Sequence, residues 1–452
     1  MMFSSILALL AASASALKCH PEGPILPKPT SLARSPIFTS AALNLTNILD
    51  AAIAGNITAD GFSEFYFLKD LFLTYGLPPI DEEDYPPCGV TTLNKACNRQ
   101  EILDGMKKSY PQTTPNERPA YSNMAFVLLG MALEEYTGKN FTQLLKEVTG
   151  PLEMSNTFPS PGYDDKAVIP PDSSWGSDYG LNTPAGGLVS SLSDLSKFSH
   201  ALLSRTLPLT PSQINGWLKP SSFAGNAHTL SGMPWEILRL DTLTPEHPHT
   251  VTIYSKSGGA QNYRSQLSFI DEYGLAIVVL TAGPMKAAPI LADAVISTFV
   301  GAADDVARVQ AKRYERVYKN DDVEAVLEQD GDSMVLASLR RNGTDIVSSL
   351  KDVWGLTLGD FLPGIGDKIR VFPSELRDEG KEVWHLWPDL DAGFKTDLPG
   401  GMIEEMNCVG WTIQDWVHYG GEPLDRVLFH VENGVLGFEV PFLRSGVMYP
   451  SK

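Results

Sequence analysis

Two short motifs, far apart in the chain, carry residue types suited to proton transfer and charge stabilisation: Tyr121-Ser122-Asn123 and Lys256-Ser257-Gly258-Gly259. A tyrosine beside a cation can accept a proton from a hydroxyl and return it to a leaving group. A lysine supplies positive charge, glycines let a ligand approach a strand, and a backbone N–H can stabilise an oxyanion. Taken singly, each motif also fits a plain structural role, as a buried tyrosine or as a charged edge strand ending in a turn.

The first motif precedes a predicted helix. Met124–Tyr136 has apolar residues at helical spacing, with Ser122 or Asn123 as the N-cap and Gly138 as the terminator. The tyrosine and the asparagine would therefore stand on one side of the turn that opens this helix. Further helices are predicted over Ala41–Ala54, Leu192–Leu203 and about Met285–Tyr318.

The second motif ends a predicted strand. Three strands follow one another at His249–Lys256, Arg264–Ile270 and Leu275–Thr281. Their short connections predict antiparallel neighbours, and the almost wholly apolar third strand is expected at the centre of the sheet. From Asp321 onward, short strands alternate with turns, which predicts a separate and mostly β domain. Its strands are expected near Val323–Glu328, Met334–Arg340, Lys368–Phe372, Val383–Trp387, Arg426–Val431 and Val435–Val440.

Composition excludes several classes of protein. The 452 residues are 43% hydrophobic and 20% charged, as in globular proteins, and the formal net charge is −19. Nucleic-acid binding needs a basic surface, so we expect none. The apolar run before Ala14-Ser15-Ala16 predicts a secretory signal over residues 1–16, too short to span a membrane. The mature protein is therefore expected to be extracellular, not membrane-bound, and its oligomeric state stays open.

Secretion gives the cysteines and sequons a meaning. Four cysteines, Cys19, Cys88, Cys97 and Cys408, are expected to form two disulfides, for which three pairings exist. Cys88 and Cys97 flank one short loop, so we pair them, which leaves Cys19 with Cys408. Glycosylation sequons occur at Asn44, Asn56, Asn140 and Asn342. No clustered Cys/His spacing predicts a metal, and His247-Pro-His249 is expected in an ordinary loop. Trp384, Trp387, Trp411 and Trp416 are expected mainly in the core.

Three ordered segments carry a family resemblance. Arg118–Gly130 resembles the Tyr-x-Asn region of class C β-lactamases and their penicillin-binding and esterase relatives. Pro184–Leu195 resembles the Pro-Ala-Gly-Gly segment of that family, and Tyr254–Gly283 its Lys-Ser-Gly strand with the two strands that follow. The resemblance spans roughly Leu68–Val300, and secreted fungal members with an extra C-terminal β domain are the nearest in kind.

The resemblance implies acyl transfer at an ester, thioester or amide of a small molecule, without cofactor or metal, and some fungal relatives act in secondary metabolism. By resemblance Tyr121 is the acid/base, and Asn123 positions the substrate. The resemblance also implies that Lys256 would stabilise charge. Ser257 and Gly258 would line the substrate strand, and the Gly259 N–H would be one oxyanion donor.

The implied fold is α+β. It joins an antiparallel sheet flanked by helices, N-terminally incomplete relative to the family, to a mostly β C-terminal domain. The expected boundaries are 1–16 for the signal, 17–60 for an extension, 61–318 for the β-lactamase-like domain and 319–452 for the last domain.

The nucleophile of the family has no good counterpart. A Ser-x-x-Lys places lysine one helical turn after the attacking serine. The sequence contains this pattern at Ser15–Lys18, which straddles the signal cleavage site, and at Ser348–Lys351, where we expect no helix start. Ser63 and Ser109 lack a lysine one turn on. A block of sequence near Asp60–Phe67 therefore looks deleted relative to the family.

Two hypotheses remain open. The sequence is a shortened version of an active serine hydrolase, or the protein is a binding or scaffold relative without catalytic activity. Losing the nucleophile of a serine protease costs about 10⁶ in kcat, so the distinction decides whether there is an enzyme at all.

Overall fold

The structure is a computed structural model, and it describes residues 23–54, 75–76, 78, 97–171, 173–284, 286–359, 364–390, 414–432 and 435–451. The predicted signal peptide, the block near Asp60–Phe67, Ser63, Asn56 and Trp411 lie outside these residues. Cys97 is disulfide-bonded, but Cys19, Cys88 and Cys408 also lie outside, so their pairing stays a prediction. Among the residues described, no helix is long and apolar enough to cross a membrane.

The first sheet has six antiparallel strands in the order β3-β4-β5-β6-β7-β8. The strands are β3 (Ser222–Phe223), β4 (Thr229–Ser231), β5 (Glu236–Leu240), β6 (Val251–Ala260), β7 (Tyr263–Ile270) and β8 (Leu275–Ala282). The antiparallel order of β6 to β8 confirms the sequence prediction. Among the described residues, β8 stands at the end of this order with β7 as its neighbour, and the central position expected for the third of these strands stays a prediction.

Helices on both faces of the sheet explain why β8 is so apolar. Leu275, Ile277 and Val279 of β8 join the cluster that includes helix α8 (Ala287–Ala311), while Ala276 packs with the cluster around helix α6 (Leu192–Leu203). Alternate side chains of a strand point to opposite faces. A strand covered on both faces reads as an unbroken apolar run whether or not it lies at the edge.

The motif Tyr121–Asn123 leads directly into helix α3, and the remaining elements of this part complete its helices and strands. Helix α3 spans Asn123–Thr137, begins at the N-cap Ser122 and ends at Gly138 with φ 70°, as the sequence predicted. The others are α1 (Pro36–Ala54), α2 (Arg99–Lys108), α4 (Phe141–Thr149), α5 (Thr183–Gly186), α7 (Pro211–Leu218), β1 (Phe158–Pro159) and β2 (Leu188–Val189).

The C-terminal part is a strongly curved antiparallel sheet in the order β18-β17-β14-β13-β11-β10-β9-β19, with β12 beside β11. A bridge between Phe438 and Met448 joins its two ends, so the sheet nearly closes into a barrel. The strands are β9 (Val317–Lys319), β10 (Val323–Gln329), β11 (Met334–Arg341), β12 (Thr344–Asp345), β13 (Ile365–Asp378), β14 (Lys381–Leu390), β17 (Arg426–Glu432), β18 (Val435–Glu439) and β19 (Tyr449–Pro450). A small hairpin, β15 (His418–Tyr419) and β16 (Glu422–Pro423), stands apart.

One helix in this part contradicts the sequence prediction. Helix α9 (Ile346–Leu358) begins at the N-cap Asp345, so Ser348 does stand in the first turn of a helix. The expectation of no helix start was wrong because Leu350, Trp354 and Leu358, four residues apart, form a buried helical stripe.

A buried polar network lies where the two parts meet. His249 Nε2 is 3.0 Å from Glu272 Oε1 and 3.1 Å from the Tyr273 hydroxyl, which donates to Asp304 Oδ1 over 3.1 Å. Asp304 in turn accepts a hydrogen bond from Arg308 Nε at 2.7 Å. Arg308 also donates to the main-chain carbonyl of Gly331, in the turn between β10 and β11. The network therefore ties the loop before β6 through α8 to the C-terminal sheet, and His249 is a buried structural residue of the loop in which the sequence placed it.

Candidate functional site

The fold brings the two motifs together. Tyr121 precedes the N-cap of α3, where Ser122 Oγ accepts the Ala125 N–H at 3.1 Å. Lys256 lies on β6, and its Nζ is 5.0 Å from the centre of the Tyr121 ring. This is within the range of a cation–π contact. Tyr121 is 72% exposed, so the pair stands at the surface, open to a ligand.

A carboxylate that the motif analysis missed holds Lys256 in place. Glu236 Oε1 accepts Lys256 Nζ at 2.7 Å, and Oε2 accepts the Ser257 N–H at 3.2 Å and the Ser257 hydroxyl at 3.1 Å. Lys256 Nζ also donates to the Ser257 carbonyl at 2.8 Å. The lysine is thus half of an ion pair, and Ser257 is held by the same carboxylate.

Glu236 could have been found from a strand signal. It opens β5, where Trp235 and Ile237 are buried in alternation, and the cross-strand register places Glu236 opposite Ser255. Alternating apolar residues over this short stretch indicate a strand. This register places Glu236 on the face of Ser255 and Ser257, next to Lys256 in the chain.

The two glycines after Ser257 lie close against side chains of the neighbouring strand. A Cβ on Gly258 would lie 2.5 Å from Ser265 Oγ, and one on Gly259 would lie 2.5 Å from a guanidinium nitrogen of Arg264. These are the cross-strand partners of the two glycines on β7. On the other side, β5 pairs with β6 only as far as Ser255, so this end of β6 extends beyond β5 and is exposed. Both glycines remain candidates for ligand contact, and their predicted roles stay predictions.

Asn123 is the first residue of α3 and is exposed. The helix it opens is pressed against α5, because Gly130 is buried where a Cβ would lie 2.6 Å from Pro184 Cγ. The Pro184–Gly187 segment therefore positions α3, and with it Tyr121 and Asn123.

Asp194, in the same resembling segment, is structural. It is buried and accepts the Asn156 N–H at 2.7 Å and the Thr157 hydroxyl at 2.9 Å. Its carboxylate fastens α6 to the chain that leads into β1.

None of the serines considered as nucleophiles in the described part is placed for that role. Ser109 caps the end of α2 and donates to the Gly105 carbonyl at 3.1 Å. Ser348 donates to Asp345 Oδ2 at 2.9 Å, and Lys351 donates to the Asp367 carbonyl in the C-terminal domain. The second Ser-x-x-Lys is therefore a capped helix start.

The remaining predicted features have simple surroundings. Asn44, Asn140 and Asn342 are exposed, as glycan acceptors must be, and their modification stays a prediction. Trp384 and Trp387 are buried, but Trp416 is exposed. Among the described residues, one group of metal-capable side chains is found, and it lies in the C-terminal domain rather than beside Lys256.

Comparison with known proteins gives matches over nearly the whole chain. Residues 74–298 match the family model described as "Beta-lactamase", and residues 306–451 match "Beta-lactamase-like-like, C-terminal domain". A "Beta-lactamase-like protein" of Arthroderma benhamiae is 40% identical over 437 residues, covering 90% of this chain and 73% of that protein.

Two more distant relatives are named as hydrolases. "Probable hydrolase clz13" of Cochliobolus lunatus is 27% identical, and "Probable hydrolase M10" of a Phoma species is 26% identical. Each alignment covers 83% of this chain, but only 62% and 65% of the respective relatives. Among solved structures, a β-lactamase/D-alanine carboxypeptidase from Yersinia pestis matches 52% of this chain and 66% of its own, at 20% identity and a TM-score of 0.37.

Proposed function

Because this chain belongs to the β-lactamase family and carries that family's fungal-type C-terminal domain, we propose that it is a hydrolase acting by acyl transfer on an ester, thioester or amide of a small molecule. The observation that carries the proposal is the convergence of Tyr121 and Lys256, whose Nζ lies 5.0 Å from the tyrosine ring. Two relatives named as probable hydrolases support it.

The pair can perform the proton steps of acyl transfer. The ammonium group of Lys256 stabilises the negative charge that develops on Tyr121 when the phenol gives up its proton. The exposed end of β6 offers backbone groups to a bound carbonyl, and Asn123 is exposed two residues after Tyr121. On this proposal, the attacking serine belongs to a Ser-x-x-Lys segment that a longer form of the protein carries.

A second candidate function is binding without catalysis. The observation in its favour is that Glu236 already neutralises Lys256, while the serines considered as nucleophiles in the described part serve other contacts. A site with a paired lysine can still bind a small polar molecule through Tyr121 and the edge of β6. Its hydrolytic rate would fall to background, because losing the nucleophile costs about 10⁶ in kcat.

Kinetics with matched tyrosine variants separate the two. Tyr121→Phe removes the phenol and is expected to lower kcat/KM for a p-nitrophenyl ester by about 10²–10⁴, the usual contribution of a general acid/base. Tyr136→Phe, at an exposed position near the other end of α3, should leave the rate unchanged. Absence of hydrolysis in the parent protein would leave only the binding function, whereas equal hydrolysis by both variants would show that Tyr121 is not the acid/base.

We further propose that the protein is secreted and N-glycosylated, with its cysteines in disulfides. The predicted signal over residues 1–16 and the exposed sequons Asn44, Asn140 and Asn342 support this. A loss of mass after enzymatic deglycosylation of protein recovered from the medium is the expected result.

A further inference from the structure

A histidine and two aspartates of the C-terminal domain form a cluster outside the site described above. One ligand atom of each of His385, Asp415 and Asp425 lies within 4.8 Å of the others. The backbone fixes two of them, since His385 on β14 pairs with Arg426 on β17, and the Leu386 N–H donates to the Asp425 carbonyl at 2.7 Å. The Asp415 N–H donates to Asp425 Oδ2 at 3.0 Å, which brings the third member to the strands.

Two atoms of this cluster are buried without a hydrogen-bond partner among the described residues, His385 Nδ1 and Asp415 Oδ1. His385 Nδ1 faces Asp425 Oδ2 at 3.7 Å, too far for a hydrogen bond. The side chains of His385 and Asp425 are 14% and 5% exposed, so water gives them little relief. Buried polar atoms left unpaired are costly, and each such atom in a native protein calls for an explanation.

The charges around the cluster leave room for a cation. Arg426 Nη2 binds Asp415 Oδ2 at 2.6 Å and offsets one of the two carboxylates, while Oδ1 of the same aspartate stays free. With a neutral imidazole, the three ligands and the arginine carry a net charge of about −1. One nitrogen and two carboxylate oxygens are a ligand set that zinc and related divalent ions accept.

One of the three spacings is close to that of a coordinated ion, and the other two lie within 4.8 Å. Ligand atoms about 2.1 Å from a tetrahedral metal stand about 3.4 Å apart. The 3.7 Å between His385 and Asp425 needs a contraction of a few tenths of an ångström. We propose that His385 Nδ1, Asp415 Oδ1 and Asp425 Oδ2 bind a divalent ion of the zinc class, which fastens the chain before the β15–β16 hairpin to β14 and β17.

Zinc titration of the full-length secreted protein, stripped with a chelator, tests the proposal in competition with a chromophoric chelator. The parent protein is expected to bind one equivalent, and zinc should raise its Tm by mass action. Asp415→Asn, which keeps shape at a half-exposed position, and His385→Gln should each weaken the affinity by about tenfold or more. His418→Asn, on the neighbouring hairpin and exposed, is the matched control and should bind as the parent does.

Circular dichroism of the metal-free proteins shows whether each variant is folded. If His385→Gln does not fold, Asp415→Asn provides the test. Absence of stoichiometric binding by the parent protein would overturn the proposal and leave a plain contact between a histidine and two carboxylates. Equal binding by the parent, Asp415→Asn and His418→Asn would overturn it as well, since the ion would then sit elsewhere. Both results are independent of whether the protein hydrolyses esters.

Discussion

At the scale of single residues, the site depends on how the charge of Lys256 is shared. Glu236 binds two groups that could otherwise bind an anionic ligand, the lysine ammonium and the Ser257 N–H. Tyr121 covers the same ammonium with its ring. Glu236 therefore acts as a positioning residue that also disfavours negatively charged ligands.

Replacing Glu236 by Gln tests this role. The variant keeps the shape of the side chain but frees the positive charge, so ligands with a carboxylate near the acyl group should gain affinity. Partly exposed ion pairs contribute up to about 1 kcal/mol, which corresponds to about fivefold in Kd. The measurement is KM for an anionic ester against a neutral ester of the same size.

Glu147→Gln is the control, because Glu147 of α4 forms an exposed ion pair with Lys139, which precedes that helix. A gain confined to the anionic ester in Glu236→Gln, with no change in Glu147→Gln, is the expected pattern. Equal KM values for both esters in every variant would show that Glu236 does not influence the preference of the site for charged or neutral ligands.

At the scale of elements, the position of Tyr121 depends on how α3 packs. Gly130 lets the helix approach Pro184, and a methyl group there would meet the proline ring at 2.6 Å. Another helical glycine, Gly105 in α2, has open space where its Cβ would be. The chain thus offers two glycine-to-alanine changes with opposite expected effects.

Gly130→Ala is expected to destabilise the protein by about 1–3 kcal/mol, the usual cost of overpacking, although alanine is the better helix former. Gly105→Ala should stabilise it by up to about 1 kcal/mol. Urea unfolding of both variants beside the parent gives the comparison. A stabilised Gly130→Ala would mean that α3 and α5 are not in tight contact.

Much of the element pattern followed from the sequence. The bounds of α3 and α6 were predictable because their apolar residues repeat about every 3.6 residues. The order of β6 to β8 was predictable because short apolar segments separated by turns indicate neighbouring strands. The position of β8 within the sheet was not predictable, because periodicity reports which faces of a strand are buried and not how many neighbouring strands it has. Helix α9 was missed because β-rich surroundings outweighed its stripe of residues four apart.

The candidate site was only half predictable. Tyr121 and Lys256 stand out by type and spacing, but their proximity is a long-range property that the fold alone supplies. Glu236 carries no motif and becomes visible only through the register of β5 against β6. The His385 cluster joins three separate segments, so no spacing along the chain indicates it.

At the scale of the whole molecule, the two parts share one core. The largest apolar cluster runs from Ile253 and Ile277 through Val300 and Ala307 of α8 to residues of the C-terminal sheet. At its border lies the network of His249, where a charged group is buried between the parts. The stability of the whole molecule should therefore depend on the protonation of this histidine.

The sign of that dependence follows from its pKa. Burial opposes a charged imidazole, but the hydrogen bond and negative charge of Glu272, helped by Asp304, outweigh it and raise the pKa of His249 above its usual 6.5. A raised pKa means that the folded state favours the proton. The resulting stabilisation is fully present below pH 6.5 and is lost as the pH rises through the folded-state value.

We therefore expect the free energy of unfolding to fall as the pH rises from 6.5. Glu272→Gln removes the group that raises the pKa, so this part of the pH dependence should shrink or reverse. His200→Gln, at an exposed histidine of α6, should keep the parent profile. Urea unfolding across this pH range provides the measurement, and identical slopes in all three proteins would contradict the assignment.

The most direct test of the acyl-transfer account is covalent labelling of the secreted protein with a fluorophosphonate, read by intact mass and peptide mapping. The account predicts a single labelled serine in a Ser-x-x-Lys segment, with slower labelling in Tyr121→Phe than in Tyr136→Phe. A protein whose mass matches the present sequence after signal removal and glycan trimming, and which takes no label, would contradict it.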